Sequence, residues 1–127
     1  MVGIVLVSHS SRLADGLGEL LAQIGSSEVP VALAGGTIDG GLGTSADRVI
    51  AAISAADRGD GVVVIPDLGS AVLTVKSVLE GFDVTSVVLV DAPFVEGAVA
   101  AAVTAAAGAG LDAVVRAAEE ARHVAKF

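Results

Sequence analysis

The sequence has no cysteine and no tryptophan, and basic residues are few. The absence of cysteine excludes a disulfide scaffold and a cysteine-ligated metal site. Seven lysine and arginine residues stand against 15 aspartate and glutamate residues, so the formal net charge is −8. A surface of this sign repels phosphates, which argues against a nucleic-acid partner, and it attracts a cationic surface on a partner protein.

The sequence also has no apolar run long enough to cross a bilayer. The longest, residues 97–111, is mostly alanine and glycine and is shorter than the ~20 residues that a bilayer requires. The N-terminal residues lack the basic start of a targeting signal. We therefore expect a cytoplasmic protein that has no membrane partner.

What the sequence has in excess is apolar residues. Hydrophobic residues make up 54% of the 127 positions, and 16 glycines add to them. The sum is well above the roughly 45–50% that is typical of soluble domains on this counting. Such a composition excludes disorder and requires either a sheet covered on both faces or an oligomer interface. The length predicts a single domain over residues 1–127.

Four apolar runs have the length of β-strands. Residues 3–8, 61–66 and 86–90 are continuously hydrophobic, which is typical of parallel strands that are buried on both faces. The run at 29–34 contains Pro30. Because proline cannot donate to a ladder of hydrogen bonds, we place this second strand at an edge of the sheet.

Helical patterns separate and follow these strands. The first begins at Ser10 or Ser11 and predicts one buried stripe, made of Leu13, Leu17, Leu20, Leu21 and Ile24. A second helix, from Thr44 or Ser45, is expected to bury Val49, Ile50 and Ile53. Further helices are predicted from about Ser70, over 94–107 and over 111–124.

This alternation predicts an α/β fold, a three-layer sandwich with a central parallel sheet in the strand order 2-1-3-4. In this order the first and third strands are neighbours. Their carboxyl ends form the topological switch point, where folds of this kind place their sites.

Two side chains end these neighbouring strands. His9 follows the first strand and Asp67 follows the third, and adjacent strands lie about 4.8 Å apart, so the two can hydrogen-bond. A carboxylate on one ring nitrogen fixes the tautomer and leaves the other nitrogen as a nucleophile. We expect Nδ1–H to face Asp67 and Nε2 to take a phosphoryl group. The competing roles are a helix cap for Asp67 and a loop histidine bonded to backbone for His9.

The loops around this pair hold candidate phosphoryl-binding groups. Ser10 and Ser11 begin the first helix, whose N–H groups and hydroxyls would cradle a phosphoryl group on His9. Gly69 and Ser70 follow Asp67 in the loop after the third strand, and we assign them to the same role. A serine hydrolase is disfavoured, because no G-x-S-x-G elbow is present.

A glycine-rich loop over residues 35–45 follows the second strand. Residues 41–46 match G-x-G-x-x-A, but the strand ends too early and the turn is the second of its kind, so the dinucleotide fingerprint is weak. We predict that Gly36, Thr37, Asp39 and Gly40 bind a partner or a phosphorylated side chain. Two alternatives stay open: a non-catalytic nucleotide- or dinucleotide-binding module that uses this loop, and a purely structural dimer subunit.

The remaining polar residues do not suggest chemistry. No histidine or carboxylate cluster has the spacing of metal ligands, so we predict no metal. His123 lies near the C-terminus beside Arg122 and Lys126. Positive charges there interact favourably with the negative end of a helix dipole.

Four segments resemble a known family. They are GIVLVSHS followed by LA-x-G at residues 3–16, GGTIDGGLGTS at 35–45, PDLGSA at 66–71 and DAPFVEGA at 91–98. They are similar to the mannose-type EIIA domains of the phosphoenolpyruvate (PEP) phosphotransferase system, in the DhaM branch that serves dihydroxyacetone kinase. The GGT-x-DG-x-LGTS string is the most specific segment, because it separates this branch from sugar-transport domains.

The resemblance implies a homodimer with no bound cofactor. It implies a phosphohistidine at His9, oriented by Asp67, and hence an enzyme component of phosphotransferase type. It further implies that the phosphocarrier protein HPr phosphorylates His9. The phosphoryl group then passes to ADP held by the DhaL subunit, and finally to dihydroxyacetone on the DhaK subunit.

Overall fold

A parallel sheet of four strands forms the centre of the protein. The computed structural model describes residues 1–127, with strands β1 (Gly3–Ser8), β2 (Val31–Gly35), β3 (Val62–Pro66) and β4 (Val87–Leu89). The strands are all parallel and lie in the order β2-β1-β3-β4. The predicted order and the edge position of the second strand are confirmed. That strand begins after Pro30 rather than at Val29, and the Pro30 carbonyl accepts a hydrogen bond from the N–H of Ile4.

Five helices cover the two faces of the sheet. They are α1 (Ser11–Ile24), α2 (Ala46–Ala56), α3 (Gly69–Leu79), α4 (Phe94–Ala106) and α5 (Leu111–Glu120), and a short 3₁₀ turn follows at Ala121–His123. Helices α1, α4 and α5 share one apolar cluster with the sheet, and α2 and α3 share the other. The three layers confirm the predicted α/β class. The last helix was expected to reach residue 124, but its α-helical part ends at Glu120.

The central strands are apolar because both of their faces are buried. All six residues of β1 and all five of β3 are buried. Ile4 and Leu6 belong to one apolar cluster, whereas Val5 and Val7 belong to the other. This division follows from the alternation of side chains along a strand. It explains why β1 and β3 read as continuous hydrophobic runs.

The predicted buried stripe of α1 is wrong in part. Leu17 and Leu21 are buried together with Ala14. The other three leucine and isoleucine side chains of the stripe are on the surface, at exposed fractions of 45% for Leu13, 37% for Leu20 and 51% for Ile24. The buried face of α1 is narrower than the apolar pattern suggested. Ala14 lies on this face, and its small side chain lets the helix approach the sheet closely.

The predicted buried face of α2 is also corrected. Val49 and Ile53 are buried as expected, together with Ala52 and Ala56, but Ile50 is exposed. Alanine again occupies the inner positions of the helix, and a prediction based only on large apolar residues overlooks it. No helix of the chain is both long enough and apolar enough to span a membrane.

The end of β2 and the start of α1 come into close contact at Gly35. A Cβ atom at this position would lie 2.6 Å from the Cα of Ser11. Only glycine fits without a shift of the backbone. This contact fixes where α1 begins relative to the carboxyl edge of the sheet.

We expect Gly35→Ala to lower the free energy of unfolding by about 1–3 kcal/mol, because the added methyl group overpacks a backbone contact. Gly16→Ala is the matched control, since a Cβ at Gly16 meets nothing within 4 Å. In the interior of α1 the control should raise the free energy of unfolding by up to about 1 kcal/mol. Urea unfolding followed by circular dichroism measures both. Equal effects of the two substitutions would contradict the close contact.

Candidate active site

His9 and Asp67 meet at the carboxyl edge of the sheet, between β1 and β3. The last register pair of these strands is Val7 with Pro66, so the next residues, Ser8 and Asp67, lie side by side and His9 follows directly. The Nδ1 atom of His9 lies 2.8 Å from Oδ1 of Asp67. The side chain of His9 is 24% exposed and that of Asp67 is 8% exposed. The carboxylate is thus largely shielded while the imidazole reaches the surface.

Four donors surround the Asp67 carboxylate. Oδ2 accepts from the hydroxyl of Ser8 at 2.9 Å and from the backbone N–H of His9 at 3.0 Å. Oδ1 accepts from the backbone N–H of Leu68 at 2.7 Å and faces His9 Nδ1. Because an ionised carboxylate only accepts hydrogen bonds, these contacts hold it in one orientation.

The electrostatic balance at Asp67 favours the charged form. Burial on its own raises the pKa of this carboxyl group, but hydrogen bonds from the backbone and ring of His9, the Ser8 hydroxyl and the Leu68 N–H outweigh burial and lower it. Asp67 is therefore ionised at neutral pH.

An ionised Asp67 determines the tautomer of a neutral His9. Since an ionised carboxylate can only accept hydrogen bonds, the Nδ1 atom that faces Oδ1 must carry the proton. The lone pair then lies on Nε2, and the hydroxyl of Ser70 donates a hydrogen bond to that atom. The ring is held from one side and presents a nucleophilic nitrogen on the other.

The start of α3 lies beside Nε2 and has no side-chain cap. Its N-cap residue is Leu68, whose side chain makes no capping hydrogen bond. The N–H groups of Ala71 and Val72 donate to the Leu68 carbonyl, whereas those of Gly69 and Ser70 have no acceptor within the helix. Asp67 does not cap this helix, so the competing role considered for it is not the one in the structure. An uncapped helix start next to a nucleophile is suited to bind an anion.

The start of α1 is capped. The Ser10 hydroxyl accepts a hydrogen bond from the N–H of Leu13 at 3.3 Å, and the N–H of Ser10 donates to the Ser8 hydroxyl at 3.1 Å. Ser11 is the first residue of the helix and is exposed. Both serines thus lie next to His9, as the sequence requires, and one of them already serves the helix.

The glycine-rich loop contacts the backbone of Ser8 and His9, and its other backbone hydrogen bonds lie within the loop. Gly43, at a φ of +136°, donates its N–H to the His9 carbonyl at 2.9 Å, and Gly36 donates to the Ser8 carbonyl at 3.0 Å. The N–H groups of Thr37 and Gly40 also donate within the loop. None of these four amides is free to cradle a nucleotide phosphate. This arrangement argues against the nucleotide-binding alternative.

Thr37 and Asp39 stabilise the loop tip. The Thr37 hydroxyl donates to Asp39, and the N–H of Gly41 donates to both side chains. The hydrogen bond from Thr37 is the main cause of a lowered pKa at Asp39. Neither residue bonds to His9 or Asp67, so the structure joins Gly36 to the backbone of the His9 segment and leaves Thr37, Asp39 and Gly40 in the outer part of the loop.

Two contacts of the Asp67 carboxylate, with the Ser8 hydroxyl and with the Leu68 N–H, were missed by the sequence reasoning. The Leu68 N–H cannot be read from a side-chain pattern, because any residue supplies it. Ser8 offered a signal, since it is a polar residue at the end of a strand that is otherwise wholly apolar. No group of three or more His, Cys, Asp or Glu side chains lies close enough together to hold a metal ion.

A comparison with protein families identifies the family of the chain. The sequence model of EIIA-man, described as the PTS system fructose IIA component, matches residues 3–115. The chain belongs to the EIIA-man family.

Individual relatives of this EIIA-man chain carry the DhaM name. The PEP-dependent dihydroxyacetone kinase 2, phosphoryl donor subunit DhaM, of Listeria innocua is 34% identical over 119 residues, which is 91% of this chain and 95% of the relative. The phosphoryl donor subunit DhaM of Escherichia coli K12 is 43% identical over 121 residues. This match covers 91% of the chain but 26% of the relative, so the chain spans about a quarter of that longer protein. The resemblance to DhaM expected from the motifs is confirmed.

A solved structure shares the whole EIIA-man fold. The crystal structure of the unknown function protein EF1359 superimposes with a TM-score of 0.85 at 36% identity, over 94% of this chain and 93% of the other. The fold and the sequence comparison therefore agree over nearly the full length of the chain.

We expect Asp67→Asn to lower the free energy of unfolding at neutral pH. The difference from the unaltered protein should become smaller as the pH falls. The folded-state pKa of Asp67 is lowered. Its ionised form therefore contributes stability above its unfolded-state pKa, and this contribution is lost as the pH falls through the folded-state pKa, below about pH 4. Chemical unfolding of both proteins from pH 7 to pH 3 measures the difference.

The control for this measurement is Asp15→Asn, which removes one negative charge from the exposed face of α1. It should change the free energy of unfolding little across the range. A deficit in Asp67→Asn that stays constant down to pH 3 would show that the carboxylate is not stabilised in its ionised form.

Proposed function

We propose that this EIIA-man chain is the phosphoryl donor subunit of a PEP-dependent dihydroxyacetone kinase and acts through a phosphohistidine at His9. The observation that carries the proposal is the exposed Nε2 of an imidazole whose Nδ1 is held by ionised Asp67, beside the uncapped start of α3. The names of the Listeria innocua and Escherichia coli relatives support the choice of kinase.

The first half of the reaction charges the histidine. The lone pair of Nε2 attacks the phosphorus atom on phosphorylated HPr, a P–N bond forms to His9, and the bond to the donor's histidine breaks. Positive charge develops on the His9 ring, and Asp67 stabilises it through Nδ1–H. The Ser70 hydroxyl leaves Nε2 as the phosphorus atom arrives, and with the N–H groups of Gly69 and Ser70 it donates to the phosphoryl oxygens.

The second half of the reaction removes the phosphoryl group from His9. A terminal phosphate oxygen of ADP, held on DhaL, attacks the same phosphorus atom in line, and the P–N bond to His9 breaks with the electron pair returning to Nε2. The ATP formed on DhaL then phosphorylates dihydroxyacetone bound to DhaK. Ser10, Ser11 and the outer loop residues Thr37, Asp39 and Gly40 border the face on which both partners would dock.

We expect incubation with PEP, enzyme I and HPr to label the protein with a phosphate that is acid-labile and alkali-stable. His9→Ala should abolish the label, because it removes the nucleophile. His123→Ala is the matched control, since it removes the other histidine of the chain and should label like the unaltered protein. Adding DhaK, DhaL and dihydroxyacetone should consume the label and release dihydroxyacetone phosphate. Failure to label, or equal labelling of His9→Ala, would overturn the proposal.

A homodimer is part of the same proposal. Leu13, Leu20 and Ile24 of α1 and Val95 and Val103 of α4 are exposed, although an apolar side chain gains from leaving water. Helices α1 and α4 contact each other on the same face of the sheet, so these residues offer surface for a second copy.

We expect light scattering after size-exclusion chromatography to give twice the mass of one chain at micromolar concentration. The mass of a single chain, unchanged as the protein concentration is raised, would contradict the dimer.

A further inference from the structure

Ser8 is the only polar residue among the buried ones. Its exposed fraction is 0%, and every other buried side chain is apolar or absent. It ends β1 and directly precedes His9. A buried hydroxyl is unfavourable unless its donor and acceptor capacities are both used, so the partners of Ser8 show why it is tolerated there.

The direction of the Ser8 hydroxyl proton is fixed by its neighbours. The N–H of Ser10 donates to Ser8 Oγ at 3.1 Å, and Ser8 Oγ lies 2.9 Å from Asp67 Oδ2. An amide N–H can only donate and an ionised carboxylate can only accept. The hydroxyl therefore accepts from the start of α1 and donates to Asp67.

This hydroxyl is the only side-chain donor on Oδ2. The other contact of that oxygen is the backbone N–H of His9. With both donors in place, Oδ2 is occupied and Oδ1 is turned toward the imidazole. Without the hydroxyl, one acceptor position of the shielded carboxylate has no partner, and the carboxylate is freer to rotate about its Cβ–Cγ bond or to take up a proton.

We propose that Ser8 is a positioning residue for His9: its hydroxyl holds the Asp67 carboxylate ionised and aligned, so that the imidazole keeps its proton on Nδ1 and its lone pair on Nε2. The kinetic consequence rests on the proposed function. The effect on the carboxylate and on the ring tautomer is a property of the unphosphorylated protein and can be measured without any transfer.

A merely structural role for Ser8 makes a different prediction. It would lower stability on substitution and leave the tautomer and the titration of Asp67 unchanged. The titratable groups near Asp67 are His9, which follows β1 and hydrogen-bonds to it, and Lys76 of α3 and Asp91 after β4, which line the same groove of about 480 Å³ as Asp67. All three remain in a Ser8 variant, so a difference from the unaltered protein reports the loss of the hydroxyl.

The test compares Ser8→Ala with Ser8→Thr, which retains a hydroxyl, and with Val62→Ala, which removes buried apolar volume at the far end of β3. ¹⁵N NMR of the His9 ring reports the tautomer, and ¹³C NMR of the Asp67 carboxyl carbon during a pH titration reports its pKa. Should Ser8→Ala not fold, Ser8→Cys takes its place, because a thiol is a weak donor of similar size.

We expect Ser8→Ala to raise the pKa of Asp67 and to shift part of the His9 population to the Nε2–H tautomer. Ser8→Thr should restore both signals toward those of the unaltered protein, and Val62→Ala should be less stable with both signals unchanged. A Ser8→Ala protein that is less stable but keeps the original tautomer and titration would overturn the proposal.

The rate of His9 phosphorylation by HPr gives the kinetic readout. At neutral pH we expect Ser8→Ala to react about tenfold more slowly, as for loss of one hydrogen bond to a charged group, with the acid limb of its pH profile moved toward neutrality. If the unaltered protein takes no phosphate from HPr, the proposed function fails, whereas the NMR comparison still decides the role of Ser8.

Discussion

The arrangement of the site depends on one carboxylate that is surrounded by donors. Burial favours the neutral form of Asp67, and four hydrogen bonds reverse that preference. All four donors come from Ser8 and His9 at the end of β1 and from Leu68 before α3, so the charge is stabilised only where the first and third strands lie side by side. The strand order is thus a condition for the chemistry of His9, because it is what brings a carboxylate to one ring nitrogen and leaves the other at the surface.

The glycine-rich loop and the start of α3 have different roles at the site. Four amides of the loop already donate to backbone carbonyls, and one of them, that of Gly43, supports the backbone of His9. The start of α3 leaves amides without acceptors next to Nε2, so it is the part that can respond to negative charge. Glycines alone therefore do not indicate a phosphate site, since what decides is whether their N–H groups are already used.

The parts of the fold that depend on continuous apolar runs could be predicted from the sequence. β1, β3 and their neighbouring positions follow from burial on both faces, and the placement of His9 and Asp67 follows from strand adjacency. The helix faces could be predicted only in part, because Ala14, Ala52 and Ala56 pack inward while larger residues such as Leu13 and Ile50 stay outside. The role of Leu68 could not be predicted, because any residue supplies a backbone N–H. The polar Ser8 at the end of an apolar strand is visible in the sequence, but its hydrogen bond to Asp67 is not.

Leucine at the cap of α3 has a thermodynamic meaning beyond the site itself. A serine or aspartate in that place could accept a hydrogen bond from the first turn of the helix in every state of the protein, whereas leucine leaves the first N–H groups of α3 without a side-chain cap. Whatever anion settles there binds the folded chain and not the unfolded one, and by mass action it raises the melting temperature. The heat resistance of the chain would then rise with the concentration of a free anion such as inorganic phosphate.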